Sequence, residues 1–447
     1  VRTTLTNATL FFLGILIWIA TARFLSTHLR GLLALIMVVP GLVIRIGLLG
    51  MEQGTVVMAG GDRKLLSPLA RTGVWFGLLL GLLMIGVMLG LMYGSPFVFR
   101  RITQMWPNGP FLFITLAFPI HLVTIALDSA IYAEDRIAAR NAKELVVNGA
   151  MLAVMLVAFF GFGLQLFAVV GAYLVANLVS LVYAAMLLIG HVRFTGGIRI
   201  DLAKDAIRLG FPINLAQTAS YMMLPAMMIL LSLTLGGPGA ENLQRIGFFA
   251  IGFQMVDRIL PVTRSVAFAL LPKITGGTGE LASELAAKAS RHTLMASLIL
   301  FAVLVLLSHI IVGVLLGPRY LPAASAFVIM APGGVVLSAA GVWSAHLLAV
   351  GRPYRVAWAS LTGVVVALIL SGVGFRFIPD HREVLVASVA VAIGSLVNAS
   401  VLLPAFCSVA GVTMGQALVL RAEDVREWNR IPGLLRELVK SGGKDHA

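Results

Sequence analysis

The sequence predicts an all-α integral membrane protein of about twelve transmembrane helices in two pseudo-symmetric six-helix lobes. Three observations predict it. The chain has 447 residues, of which 59% are apolar and only 12% charged, where a soluble domain carries about 45–50% apolar and about 25% charged residues. Its mean hydropathy is +0.99, too high for a water-exposed surface. The apolar residues fall into runs of the length needed to cross a bilayer, about 20 residues, and the two halves of the chain echo one another.

The first apolar run begins within five residues of Val1 and has no small-residue cleavage site, so it reads as a retained span and not a signal peptide. Candidate spans follow near 5–23, 32–58, 70–94, 111–133, 144–163 and 166–190, then near 207–235, 244–271, 293–316, 321–349, 355–378 and 384–410. Gly, Pro and small residues recur inside them, as helix packing in lipid tolerates. Lys and Arg concentrate on one side of this topology, in loops holding Arg63, Lys64 and Arg71, Arg136, Arg140 and Lys143, and Arg193, Arg199, Lys204 and Arg208. That bias places both termini of a multi-pass membrane protein in the cytoplasm. From Gln416 the tail mixes apolar residues with Arg, Lys and Glu, the pattern of an interfacial amphipathic helix broken near Pro432.

The repeat rests on agreeing offsets. Pro119 and Pro332 break the fourth and tenth spans, Ser129-Ala130 answers Ser344-Ala345, and Arg136 answers Arg352. Arg45 and Arg258 lie at mid-depth of the second and eighth spans at the same offset, close to half the chain. Six spans per half return the chain to its starting side, so the repeat is parallel, about an axis along the membrane normal. The expected domains are 1–190, a linker at 191–206, 207–412, and a tail at 413–447.

Charge inside spans is costly and marks function. Arg45, Arg258 and Arg264 are candidate ligands for an anionic headgroup, because a guanidinium stays charged and its planar fork suits phosphate. Glu52, Asp128 and Asp257 are candidates for ion coupling, with inter-helix ion pairing as the alternative for each. Arg45 and Glu52, seven residues or two turns apart, are expected to share one face of the second helix. Asn7, Asn214, Gln217, Tyr221 and Gln254 are candidate cavity-wall polar residues; for any one, interhelical hydrogen bonding is the alternative.

The +14 charge and pI of 10.6 come with no basic run or aromatic RNA motif, so nucleic acid is not an expected partner. A single cysteine, Cys407, and scattered histidines give no disulfide or metal-ligand spacing. There is no GxxxxGK[ST], GxSxG or HExxH, so the expectation is a non-enzyme with no catalytic residues, cofactor or metal, any active transport drawing on an ion gradient, the substrate gradient or coupled synthesis.

Four stretches resemble the polysaccharide flippases of the MOP superfamily, the O-antigen and exopolysaccharide (Wzx-type) branch. They are Thr21-Ala22-Arg23-Phe24-Leu25 with Arg30-Gly31-Leu32; Arg208-Leu209-Gly210-Phe211-Pro212; Arg245-Ile246-Gly247-Phe248-Phe249 through Leu271-Pro272-Lys273; and Gly317-Pro318-Arg319-Tyr320 with Ala323-Ala324 and Gly351-Arg352-Pro353. The resemblance spans nearly the whole chain in short motifs. It implies a MATE-like, V-shaped transporter that moves an undecaprenyl-diphosphate-linked oligosaccharide between leaflets, with a cationic cavity and with polysaccharide polymerase or synthase subunits as further partners. The superfamily's lipid II flippases have two further helices without counterparts among these twelve spans. The competing readings are a cation-coupled multidrug exporter of the same superfamily, whose cavity would favour acidic and aromatic walls, and a non-transporting scaffold of a polysaccharide synthase, whose arginines would be paired by acids.

Overall fold

A computed structural model describes residues 2–94, 108–235, 239–276, 280–378, 382–421 and 424; within these, the side chains of 2–5, 7, 91–94, 108, 263–276 and 280–282 lie outside the described set. Each of the twelve expected segments is helical. The first half comprises α1 (Arg2–Phe24), α2 (Thr27–Gly47) and α3 (Met51–Gly61), α4 (Leu66–Gly94), α5 (Asn108–Ala133), α6 (Ile137–Phe162) and α7 (Leu166–Leu188). The second comprises α8 (Ile200–Tyr221) and α9 (Met223–Thr234), α10 (Ala240–Gly276), α11 (Glu280–Ile311), α12 (Leu321–Ala349), α13 (Pro353–Phe377) and α14 (Glu383–Ala410). Among the described residues nine of these helices are long and apolar enough to cross a bilayer, and α8 with α9 makes a tenth across a 47° bend. Large apolar side chains stand exposed on the outer faces, Phe160, Leu306 and Phe377 among them at 73%, 81% and 77%. Only lipid makes such a surface tolerable.

The spans alternate in direction. We call the face holding the start of α1 the near face and its opposite the far face. Packing follows one order in both halves. In the first, α1 packs on α6, α3 and α4 on α5, α5 on α7, and α6 on α7; in the second, α8 packs on α13, α10 and α11 on α12, α12 on α14, and α13 on α14. The local sequence explains the closest of these contacts. Gly73, Gly77 and Gly81 form one stripe of α4, and a Cβ on Gly81 would fall 2.4 Å from the Pro119 Cα of α5. Small residues at helical spacing let two helices approach to backbone contact.

Two expected spans are broken. The run 32–58 divides at Leu48–Gly50, where Leu49 (φ 51°) and Gly50 (φ 86°) are both left-handed. Arg45 and Glu52 therefore lie on opposite sides of a turn, not on one face of a continuous helix. The run 207–235 bends at Met222, because Pro225 has no N–H to return to the Tyr221 carbonyl and its ring crowds that oxygen. Of the expected tail, residues 413–421, with α15 (Met414–Leu418), and Asp424 are described; α15 opens on a capping box between Thr413 and Gln416. Arg291 of α11 ties both down, through Asp424 Oδ2 at 2.6 Å and the Gln416 carbonyl at 2.6 Å. Residues 422–423 and 425–447 lie outside the described residues.

The halves meet along two seams. On the far face α2 crosses α10, and a Cβ on Gly31 would fall 1.7 Å from the Leu243 carbonyl oxygen. Arginines pin the rim of this seam from both sides: Arg23 donates to the Val314 and Leu315 carbonyls, and Arg319 to those of Ala22, Arg23 and Leu25. On the near face α3 crosses α8, where a Cβ on Gly54 would fall 1.9 Å from the Ala206 oxygen and one on Gly210 1.8 Å from the Gly50 oxygen. Between the seams lies a central cavity.

Candidate functional site

The cavity has a volume of about 520 Å³ and is bounded by α1, α2, α6, α7, α8, α9 and α10. Its polar wall comes from few positions. On α10, Gln254, Asp257 and Arg258 stand at i, i+3 and i+4 and so share a face. Opposite them α1 presents Gly14 and Trp18, and α2 presents Arg30; Met37, Met151 and Met228 line the apolar remainder. Gln254 ties these elements together. Its Oε1 accepts from Trp18 Nε1 at 3.0 Å and from Arg30 Nη2 at 2.7 Å. Arg258 lies over the Trp18 ring, 5.8 Å from its centroid, and Gly14 makes room for it, since a Cβ there would lie 3.1 Å from Nη1.

The electrostatic character of the cavity is a surplus of fixed positive charge. Among the described residues no carboxylate lies within ion-pair distance of Arg30 or Arg258, and the buried Nε of each has no hydrogen-bond partner. Arg30 is 6% exposed. A buried guanidinium without an acid is expensive, and an incoming anion would relieve that cost through charge-assisted bonds.

A second polar group follows the near seam. Asn214 Nδ2 of α8 donates to the Arg45 carbonyl at 2.8 Å and to Glu52 Oε1 at 3.2 Å, crossing between the halves. One turn on, Gln217 accepts from Gln53 at 3.4 Å, and after a further turn the Tyr221 ring lies 5.1 Å beneath the Arg45 guanidinium. Arg45 and Arg258, the pair that marks the repeat in sequence, thus occupy matching places. Each covers an aromatic ring from the opening span of the other half. Their settings differ: Arg258 lines the cavity, while Arg45 is exposed and does not.

The candidate acids separate. Glu52 and Asp128 line a smaller near-face cavity of about 400 Å³ with Tyr132 and Arg140. Asp128 is taken up by an ion pair, both oxygens 2.6 Å from Lys143 Nζ, which is buried between α5 and α6. Glu52 keeps one buried oxygen, Oε2, without a hydrogen bond among the described residues. Asp257 lines the central cavity beside Arg258. The side chains of Asn7 and Arg264 lie outside the described residues.

Sequence reasoning passed over Arg30, Trp18, Gln53 and Lys143. Arg30 and Lys143 counted as loop charges because they stand at the ends of apolar runs. Their helices begin earlier, at Thr27 and Ile137, which carries both inward by a turn or more. The residues Ser26 and Thr27 ahead of Arg30, good helix starters, were the available signal.

The whole fold is similar to those of several solved transporters. An inward-facing multidrug resistance MATE family transporter of the MOP superfamily matches with a TM-score of 0.69 at 15% identity, over 90% of this chain and 94% of that chain. The lipid II flippase MurJ, in an inward closed conformation, matches with a TM-score of 0.69 at 14% identity, over 93% of this chain and 88% of that one. An outward-facing MATE family transporter matches at 0.61 and 14%, over 92% and 93%. No family model matches the sequence, and no curated protein matches it. At these identities the likeness establishes architecture. The chain is a multi-pass membrane protein, all-helical among the described residues, with the fold of the MATE transporters and MurJ.

Proposed function

We propose that the chain is a flippase that carries an undecaprenyl-diphosphate-linked oligosaccharide across the bacterial inner membrane by alternating access, for surface or exopolysaccharide assembly. The observation that carries this reading is the pair of cavity guanidiniums, Arg30 and Arg258, neither of which has a carboxylate within ion-pair distance among the described residues, with Asp257 the one acid on the same wall. A diphosphate offers two such forks enough oxygens for both. The two halves are the expected lobes, 1–190 and 207–412, joined at 191–206. Arg258 and Arg30 hold the headgroup within the cavity. Arg45, exposed at the near seam, meets it on entry, and Arg264, whose side chain lies outside the described residues, is retained as a further headgroup ligand. Asn7, Asn214, Gln217, Tyr221 and Gln254 supply hydrogen bonds to sugar or headgroup. Glu52 and Asp257 supply coupling to an ion gradient, and Asp128 does so only after leaving Lys143. Both termini face the cytoplasm, where polymerase or synthase subunits would meet the chain.

A second reading has one specific observation behind it. Asp257 lines the cavity together with Phe11, Trp18, Tyr173 and Tyr221, an acidic and aromatic wall of the kind an organic cation would take. Binding separates the two. Purified chain in nanodiscs should bind undecaprenyl diphosphate, and Arg258→Ala should weaken that binding about tenfold, or ~1.4 kcal/mol. Ethidium binding that is lost in Asp257→Asn, with no binding of the diphosphate lipid, would favour the exporter instead.

A further inference from the structure

Arg30 holds an unusual post. It is buried, it carries a fixed charge, and the acceptor it reaches is a neutral amide oxygen that it shares with Trp18. Its Nε points at no partner among the described residues. Its neighbour in sequence, Gly31, makes the tightest backbone contact of the far seam, against Leu243 and Gly247 of α10. Gln254, the acceptor, stands on that same α10. The bond from Arg30 to Gln254 therefore joins the two halves just inside the backbone contact, on the cavity side of it. The rim arginines Arg23 and Arg319 also hold this face, but they bond carbonyls at the helix ends and do not line the cavity.

We propose that Arg30 is the bolt of the far seam, and that an anionic headgroup in the cavity draws it. This rests on the anion-binding reading given above. In the closed state Arg30 is engaged with Gln254, one turn from Arg258. A diphosphate arriving at Arg258 offers Arg30 charged oxygens, which attract a guanidinium more strongly than the neutral amide oxygen of Gln254 does. Arg30 exchanges the amide for the phosphate, α2 loses its side-chain tie to α10, and the far seam parts about the rim arginines as a hinge. The ligand can drive this because it binds better to the state in which Arg30 is free, the condition any ligand must meet to shift an equilibrium. A zwitterionic lipid, whose phosphate is already matched by its own ammonium, offers Arg30 less and leaves the bolt in place. Loading and far-face opening are coupled through one side chain.

The test uses the full chain in nanodiscs, with Cys407→Ser removing the native thiol and spin labels at Phe162 and Phe377. Both positions are exposed, at the far-face ends of α6 and α13, one in each half. Undecaprenyl diphosphate should shift the label-to-label distances of the parent protein to longer values by several ångströms, and phosphatidylcholine should not. Gln254→Leu should give the longer distances with no lipid added. Gln254→Glu, of nearly the same size, should pair with Arg30 and keep the short distances even with undecaprenyl diphosphate bound. Undecaprenyl diphosphate that binds without moving the distances, or a Gln254→Glu variant that opens like the parent, overturns the bolt and leaves the cavity reading standing. Absence of binding to the parent protein overturns the cavity reading itself.

Discussion

The two seams that close the cavity are built from opposite chemistry. The far seam is cationic: Arg23, Arg30 and Arg319 cross it, and the acceptors they reach are neutral carbonyl and amide oxygens. The near seam joins amides to a carboxylate, Asn214 and Gln217 against Glu52 and Gln53, beside the exposed contact of Arg45 with the Tyr221 ring. Both rest on glycines that bring backbone against backbone. The difference teaches what each seam can respond to. Neutral oxygens holding an arginine are displaced by an anion. A carboxylate held by an amide N–H with its second oxygen unsatisfied responds to a proton or a cation. On the proposed reading, one fold carries two locks that open to different keys.

The strongest way to break this comparison is to remove the glycine contacts. Gly210→Leu should force α3 from α8 and open the near face, while Gly31→Leu should force α2 from α10 and open the far face. Each should stop transport, a loss of at least about tenfold, or ~1.4 kcal/mol in the barrier. Thiol-reagent accessibility of a cysteine at Met37, in a Cys407→Ser chain, should rise from the near side in the first variant and from the far side in the second.

The next effect separates the two acids of the near-face cavity. Lys143→Met strands Asp128 without its partner and should cost about 3–5 kcal/mol of stability, and Lys143→Met with Asp128→Leu should recover most of it. Thermal unfolding in detergent reads both. Glu52→Gln should leave stability nearly unchanged and flatten the pH profile of transport. An equal loss of stability in both acids would make Glu52 a packing residue.

The paired arginines give a smaller and graded contrast. Arg258→Ala should weaken diphosphate-lipid binding about tenfold, whereas Arg45→Ala removes an exposed cation–π contact worth about 0.5–1 kcal/mol. Equal effects would mean that both arginines face the ligand.

The smallest effect concerns the tail. Burial would push the Asp424 carboxyl up, but hydrogen bonds from Arg291 and the Arg421 amide, with the charge of Arg291 and His292, hold it below the usual carboxylate range. A lowered carboxylate pKa stabilises docking above the free value, about 3.9, and that support is lost as pH falls through the lowered value. The tail should stay docked at neutral pH and become protease-sensitive only in strong acid; Asp424→Asn should release it at pH 7. A wild-type tail released near pH 6 would contradict this.

The spans were legible because bilayer thickness sets run length, and each apolar run of suitable length became a helical segment. The breaks at Leu48–Gly50 and Met222 were hidden because apolar residues surround them, so hydropathy does not change where direction does. The repeat was legible in Arg45 and Arg258, but not that one lines the cavity and the other does not. That depends on how the halves lean together. Arg30 was hidden for the same reason: its meaning comes from Gln254, 224 positions away in the other half. Lys143 and Asp128 are 15 apart on consecutive helices, and no periodicity within one helix connects them.

The central claim, that the cavity carries an anionic lipid headgroup between leaflets, is tested most directly by flipping in proteoliposomes. A fluorescent oligosaccharide on undecaprenyl diphosphate should become accessible to an external quencher at a rate that depends on the protein. That rate should fall at least about tenfold in Arg258→Ala, a change of ~1.4 kcal/mol, while a labelled phosphatidylcholine moves no faster than in protein-free vesicles. Equal movement of both lipids, or protein-dependent flipping that survives Arg258→Ala unchanged, would contradict the account.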